Sequence, residues 1–294
     1  MLNAFVFLIG SGQAFFLGSG LIVAAAMASF GALRRWAAFV RTIAACAGAC
    51  LIAASSTPLP GWFYGLAGTA TVAWLAIEGI AQVPPAARRW ARAATVAAWL
   101  VGAAIEIPHH RMPSVPQVGG PVAIIGDSVS AGMGGERETW PKILARTHGV
   151  EIHDLSRAGS DVAKALRDQA RGVGPDDRLV LLEIGGNDVL GATSAEDFER
   201  GLLALLEALR RPGRTLVMLE LPLPPFFNRF AEIQRRLARE NGVILVPKRV
   251  LIGVLTAEGA TVDTIHLSPA GHALMSGAMG EVIRPAPGGR RAGS

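Results

Sequence analysis

Apolar and polar positions follow two regimes along the chain. Up to Ile107 the apolar residues come in long runs broken only by small ones, whereas from Pro108 onward short β-branched runs alternate with stretches of helical periodicity. A membrane span takes about twenty predominantly apolar residues, and the first regime supplies four such stretches, at 4–33, 37–56, 59–83 and 93–107. The last is the shortest. No basic residue precedes Arg34, so the first stretch reads as a retained helix rather than a cleaved signal. Ridges of small residues, Gly10, Ala14 and Gly18 in the first stretch and Gly61, Gly65, Thr69 and Ala73 in the third, predict close helix packing.

In the second regime, strands are predicted at 122–125, 151–155, 179–182, 215–219 and 243–246, with the second the weakest. Helices are predicted at 161–171, 195–209 and 227–241, the last closed by Asn241-Gly242. Strands alternating with helices predict an α/β fold with a parallel sheet covered on both faces. The expected organisation is a transmembrane helical region over 1–107, a Pro-containing spacer over 108–118, a catalytic domain over 119–284 and a disordered tail over 285–294. The spacer is short and semi-rigid, which would keep the domain near a bilayer.

Charge sharpens this division. Residues 1–107 contain neither Lys nor Asp, and their six arginines and two glutamates give +4, against +1 for the remainder. The basic balance therefore comes from arginines beside apolar runs, and a nucleic-acid partner is excluded. Arg34 and Arg35 flank the first loop and Arg88, Arg89 and Arg92 the third, so both loops are expected in the cytoplasm and the C-terminal domain outside it. In a bacterium that is the periplasmic or extracellular side of the cytoplasmic membrane. Trp36, Trp62, Tyr64 and Trp90 fall near the expected interfaces, and Arg41 and Glu78 inside the apolar stretches are expected to pair or to snorkel. Cys46 and Cys50 are the only cysteines, so the C-terminal domain has no disulfide framework. His109 and His110, without further ligands nearby, read as a solvated stretch rather than a metal site.

The chemistry is carried by blocks placed where predicted strands end: Gly126-Asp127-Ser128, Gly159, Gly185-Gly186-Asn187-Asp188 and Asp263-Thr264-Ile265-His266. In a parallel sheet such ends lie on the ligand-binding edge. Together they supply a hydroxyl, backbone and amide donors, an imidazole and a carboxylate, the parts of nucleophilic acyl transfer. Asp127 and Asp188 are expected to hold turns through backbone hydrogen bonds. Ser130 is a rival hydroxyl to Ser128, while His153 and His272 read as strand and helix residues. The apolar run 221–227 with Phe230, and Leu251, Ile252, Val254 and Leu255, fit either an acyl pocket or core packing.

These blocks, with Ser128-Val129-Ser130-Ala131-Gly132 and Trp140-Pro141, resemble the SGNH, or GDSL, hydrolase family, in particular its thioesterase, arylesterase and lysophospholipase branch. The resemblance covers about 121–283 and none of the apolar region. It implies a flavodoxin-like sheet, an acyl-ester substrate and neither metal nor organic cofactor. It further implies Ser128 as nucleophile, His266 as base and then acid, Asp263 as its orienting carboxylate, and an oxyanion hole formed by the N–H groups of Ser128 and Gly159 with the Asn187 amide. Asp154 stands where many relatives have Asn, and Leu267-Ser268 where the nearest branch has Pro-Asn. The expected function is a membrane-anchored serine esterase or lipase-like acylhydrolase. Two alternatives stay open: an O-acetylesterase or O-acetyltransferase on envelope glycans, and a catalytically idle binding module. The sequence does not set an oligomeric state.

Overall fold

The computed structural model describes residues 2–30, 36–117 and 119–283. Arg34, Arg35 and the expected tail therefore lie outside the described residues. Two compact units form: one holds 8–111 with 224–228, the other 2–7, 112–223 and 229–283.

The first apolar stretch is not one continuous helix. It is α1 (Leu2–Gly10) and α2 (Gln13–Ala28), which meet at 82°. Gly12 stands at φ 82° between them, a conformation that interrupts a right-handed helix. The others become α3 (Trp36–Ala54), α4 (Gly61–Glu78) and α5 (Pro85–Glu106). The stretch expected to be shortest is thus the longest helix. It starts at Pro85, where proline's missing N–H is no loss, and so takes in Arg88, Arg89 and Arg92. A 3₁₀ turn, Ile107–His110, extends it, so His109 and His110 close a helix rather than begin the spacer. Among the described residues, only Pro85–His110 is long and apolar enough to cross a membrane, joined by the α1–α2 pair if that counts as one broken span. By this measure one or two of the four expected spans are supported.

Phe15, Ile22, Phe63, Trp74 and Trp99 fill the core of this helical unit. The first small-residue ridge packs as expected: a Cβ on Gly18 would lie 2.4 Å from the Gly48 carbonyl oxygen. The second does not. Gly61, Gly65, Thr69 and Ala73 are exposed, and α4 instead buries Phe63, Ala67, Thr71 and Trp74. Burying the aromatic face removes more apolar area from solvent. The Trp99 indole donates to Thr71 Oγ1 at 2.9 Å. Arg41 pairs with Glu78 at 3.5 Å, and Arg92 joins them.

The other unit runs β1 (Val122–Gly126), α6 (Ser128–Ala131), α7 (Trp140–His148), β2 (Ile152–Asp154), α8 (Val162–Lys164), β3 (Leu179–Glu183), α9 (Gly186–Leu190), α10 (Ala195–Leu209), β4 (Thr215–Leu219), α11 (Asn228–Glu240), β5 (Ile244–Val246), α12 (Lys248–Leu255) and α13 (Pro269–Val282). All pairings are parallel, in the order β2-β1-β3-β4-β5. Alternate residues feed two cores. Ala123, Ile125, Val180 and Leu182 pack under α10 and α11, while Val122, Ile124, Leu179 and Leu181 pack under α7, α12 and α13. This double burial explains why the strands read as unbroken apolar runs. Leu251, Ile252 and Val254 belong to α12 and are buried, as are Leu221, Leu223 and Phe230, which settles those positions as packing. The chain leaves β1 toward β2 and returns to β3 on β1's other side, so the topological switch point lies between β1 and β3.

Candidate active site

Four of the predicted blocks' elements converge on this switch point. Gly126 of β1 pairs in register with Glu183 of β3. The chain then turns at Asp127, whose Oδ1 accepts from Val129 N at 2.9 Å, and Ser128 becomes the first residue of α6. A helix start leaves its first N–H groups without intrahelical acceptors. Ser128 is 8% exposed. Ser130 is fully buried and its hydroxyl donates to Glu183 Oε2 at 2.8 Å, which removes it as a rival nucleophile.

Gly159 sits in an exposed turn at φ 73°, with its carbonyl accepting from Lys164 Nζ at 2.9 Å. Asn187 lies in the first turn of α9, after Gly185 at φ 111°. Its Nδ2 donates to Ser160 O at 2.8 Å and to Asp127 Oδ2 at 3.3 Å, tying the three loops together. Asp188 Oδ2 accepts from Val162 N at 2.9 Å, so both aspartates hold turns as expected. Asp154 likewise accepts from Ser156 N at 3.1 Å.

Asp263 and His266 form a self-contained pair. Asp263 Oδ1 accepts the N–H groups of Ile265 and His266 at 2.7 and 2.8 Å, while Oδ2 meets His266 Nδ1 at 2.7 Å. The His266 side chain and these amides hold the Asp263 carboxyl far below its usual range. A carboxylate at Nδ1 fixes the proton there and leaves the Nε2 lone pair as the base. Leu267 anchors the loop in the core, and Ser268 Oγ caps α13 by accepting from Gly271 N at 3.1 Å.

His266 makes no hydrogen bond to Ser128 among the described residues; once it holds the serine proton, its charge would act on Asp127, the neighbour of Ser128. Burial lifts Asp127 to about 6, against the opposing bond from Val129 N–H and the charge of His266. Burial likewise raises Asp188. His153 lies in β2, paired with the buried Asp177 at 2.6 Å, and His272 lies in α13, where its Nδ1 accepts from Trp140 N at 3.1 Å.

Two residues escaped the sequence reading. Gln169 is buried in a π-helical turn, Ala165–Gln169, within the predicted helix at 161–171. Its amide bonds Gly126 N and Gly126 O, each at 3.0 Å, and Ser160 Oγ at 2.9 Å. Glu183 ends β3 as a charged residue in an otherwise apolar strand, and that position was its one signal.

The model of the GDSL-like Lipase/Acylhydrolase family matches residues 124–274, which is half of the chain. The chain belongs to this family. Its catalytic unit is an SGNH-type serine ester hydrolase with an α/β parallel sheet, as the blocks implied. The chain is 27% identical over 163 residues to an arylesterase of Vibrio mimicus, covering 50% of this chain and 79% of the relative. It is 30% identical over 138 residues to the thioesterase 1/protease 1/lysophospholipase L1 of Escherichia coli K12, covering 42% and 64% respectively. Among solved structures, the psychrotrophic esterase EstA from Pseudoalteromonas sp. superposes with a TM-score of 0.51 at 20% identity, covering 56% of this chain and 97% of that one, a likeness of fold.

Proposed function

We propose that the protein is a membrane-anchored serine esterase that hydrolyses acyl esters outside the cytoplasmic membrane through an acyl-Ser128 intermediate. The observation that carries the chemistry is the Asp263–His266 pair, pre-oriented at 2.7 Å with Nε2 left basic. Ser128 Oγ attacks the ester carbonyl as His266 Nε2 takes its proton. The oxyanion is held by the N–H groups of Ser128 and Gly159 and by Asn187 Nδ2. Of the two bonds Nδ2 makes, the longer, to Asp127 at 3.3 Å, leaves its N–H able to be shared with the oxyanion. His266 then protonates the leaving alkoxide, and a water, activated by the same imidazole, releases the acid.

A cleft of about 620 Å³ beside Asp188 supports an acyl-chain site, with Val162, Leu166, Ala192 and Ala204 as its apolar floor. Asp161, Asp188 and Asp197 outnumber Arg200 on its walls, which favours a neutral ester over a phosphate-bearing acyl donor. The membrane reading is supported by Pro85–His110 and by exposed Leu17, Phe39, Leu66, Val72, Leu100 and Ile105 on the helical unit. Arg88, Arg89 and Arg92 at the start of α5 support a cytoplasmic end there, with the chain that follows outside.

The test compares purified wild type with Ser128→Ala on chromogenic acyl esters of graded chain length. Hydrolysis is expected to vanish in the variant, and equal rates would refute the mechanism. Side is read separately: with Cys46 and Cys50 replaced by Ser, a cysteine at Asp197 should be labelled by a membrane-impermeant maleimide in intact spheroplasts.

A further inference from the structure

Directly behind Ser128 lies a pair of buried carboxyl groups that the acyl-transfer steps leave unused. Glu183 is 2% exposed and Asp127 4%. Glu183 Oε2 accepts the Ser130 hydroxyl at 2.8 Å, and the Glu183 carboxyl faces both the N–H and the carboxyl of Asp127. The titratable groups that face the pair from neighbouring elements are Asp188 of α9 and His266 of the loop before α13. Among the described residues, no Lys or Arg pairs with either carboxyl. Two carboxylates in contact and out of water cannot both ionise, so one proton stays.

The hydrogen bonds decide where it stays. Asp127 receives N–H donors on both oxygens, Val129 N on Oδ1 and Asn187 Nδ2 on Oδ2, and both bonds need free lone pairs. Glu183 accepts the Ser130 hydroxyl and the Asp127 N–H, and its deeper burial beside the Asp127 carboxyl keeps the shared proton on it. Burial and the neighbouring Asp127 both push Glu183 well above the usual carboxylate range, in the same direction.

We propose that Glu183 is a positioning residue that carries this proton at neutral pH, leaving Asp127 a carboxylate that locks the Ser128 turn and the Asn187 amide in one geometry. The inference rests on the reading of Ser128 as nucleophile and Asn187 as oxyanion donor. It gives the buried pair one negative charge rather than two. A second charge behind the nucleophile would oppose the developing oxyanion.

Full-length wild type, E183A and E183Q are compared for kcat and KM across pH, and by infrared difference spectroscopy for the C=O stretch of a protonated carboxyl at neutral pH. E183A is expected to lower kcat by about tenfold or more with KM little changed, as for a slight misplacement of reacting groups. E183Q, the neutral isostere, should recover most of that loss. It should also remove the alkaline decline that ionisation of Glu183 gives the wild type. The protonated-carboxyl band should be present in wild type and absent in E183Q. E183Q as impaired as E183A at neutral pH, or a wild type without the band, would overturn the proposal. Failure of the nucleophile reading shows elsewhere, as hydrolysis retained by Ser128→Ala, and leaves the infrared band unaffected.

Discussion

Gln169 clasps the peptide group of Gly126, accepting from its N–H and donating to its C=O, each at 3.0 Å. A ladder bond would ordinarily satisfy the end of a strand. Here an amide side chain does so and, through Ser160 Oγ, also reaches the turn beside Gly159.

Gln169→Leu should therefore strand buried donors and acceptors at the nucleophile's strand end. Each such group costs about 1–3 kcal/mol. The expected result is a lower denaturation midpoint with kcat reduced more than KM is raised, read by chemical denaturation and steady-state kinetics. A variant with unaltered stability would show that the amide is dispensable.

Asp127 gives stability a pH dependence of known sign. Its folded pKa, about 6, lies above the ordinary aspartate value of 3.8, so its contribution is complete below 3.8 and disappears as pH rises through 6. That difference amounts to about 3 kcal/mol at most, at roughly 1.4 kcal/mol per unit. Wild-type stability attributable to this group should fall between pH 4 and pH 7, and Asp127→Asn should flatten the slope in that window. Asp263, whose carboxyl is held low, acts in the opposite sense: its contribution is present above 3.8 and is lost as pH falls below it.

Filling the cleft tests the acyl-chain assignment. Ala204 forms part of its floor, and Ala204→Phe would occupy that space. The ratio of kcat/KM for an eight-carbon ester to that for an acetate ester should fall by about tenfold, equivalent to ~1.4 kcal/mol. An unchanged ratio would place the chain elsewhere.

In the helical unit the contrast is between two glycines. Gly18→Val would drive a side chain into the Gly48 carbonyl, whereas Gly65 has no atom within 4 Å of a new Cβ. Detergent-solubilised Gly18→Val should lose thermal stability or fail to accumulate, and Gly65→Val should resemble wild type.

The sheet was legible in the sequence because β1, β3 and β4 are buried on both faces and appear as short, largely apolar runs. The site was legible because its residues occupy strand ends and turns, where Gly, Asp and Asn have few structural competitors. What stayed hidden depends on contacts distant in sequence. Gln169 reads as one polar residue on an amphipathic helix until the fold brings it to Gly126, and Glu183 gains its role only beside Asp127. α13, where His272 reads as a helix residue, has no bounds legible in the sequence because its Gly, Ala, Ser and Met residues carry little amphipathic period. The ridge on α4 misled because small residues permit close packing without requiring it, and the aromatic face won.

The candidate base and its orienting carboxylate sit three residues apart on one loop, and the carboxylate also accepts two of the loop's own amides. Such a unit travels whole. Any displacement of the loop carries imidazole and carboxylate together, so the tautomer and basicity of His266 are preserved while its distance to the serine changes. Proton transfer then depends on how closely that loop approaches the head of α6, and a substitution that shifts the loop without touching the pair would slow acylation while leaving the Asp263–His266 bond intact.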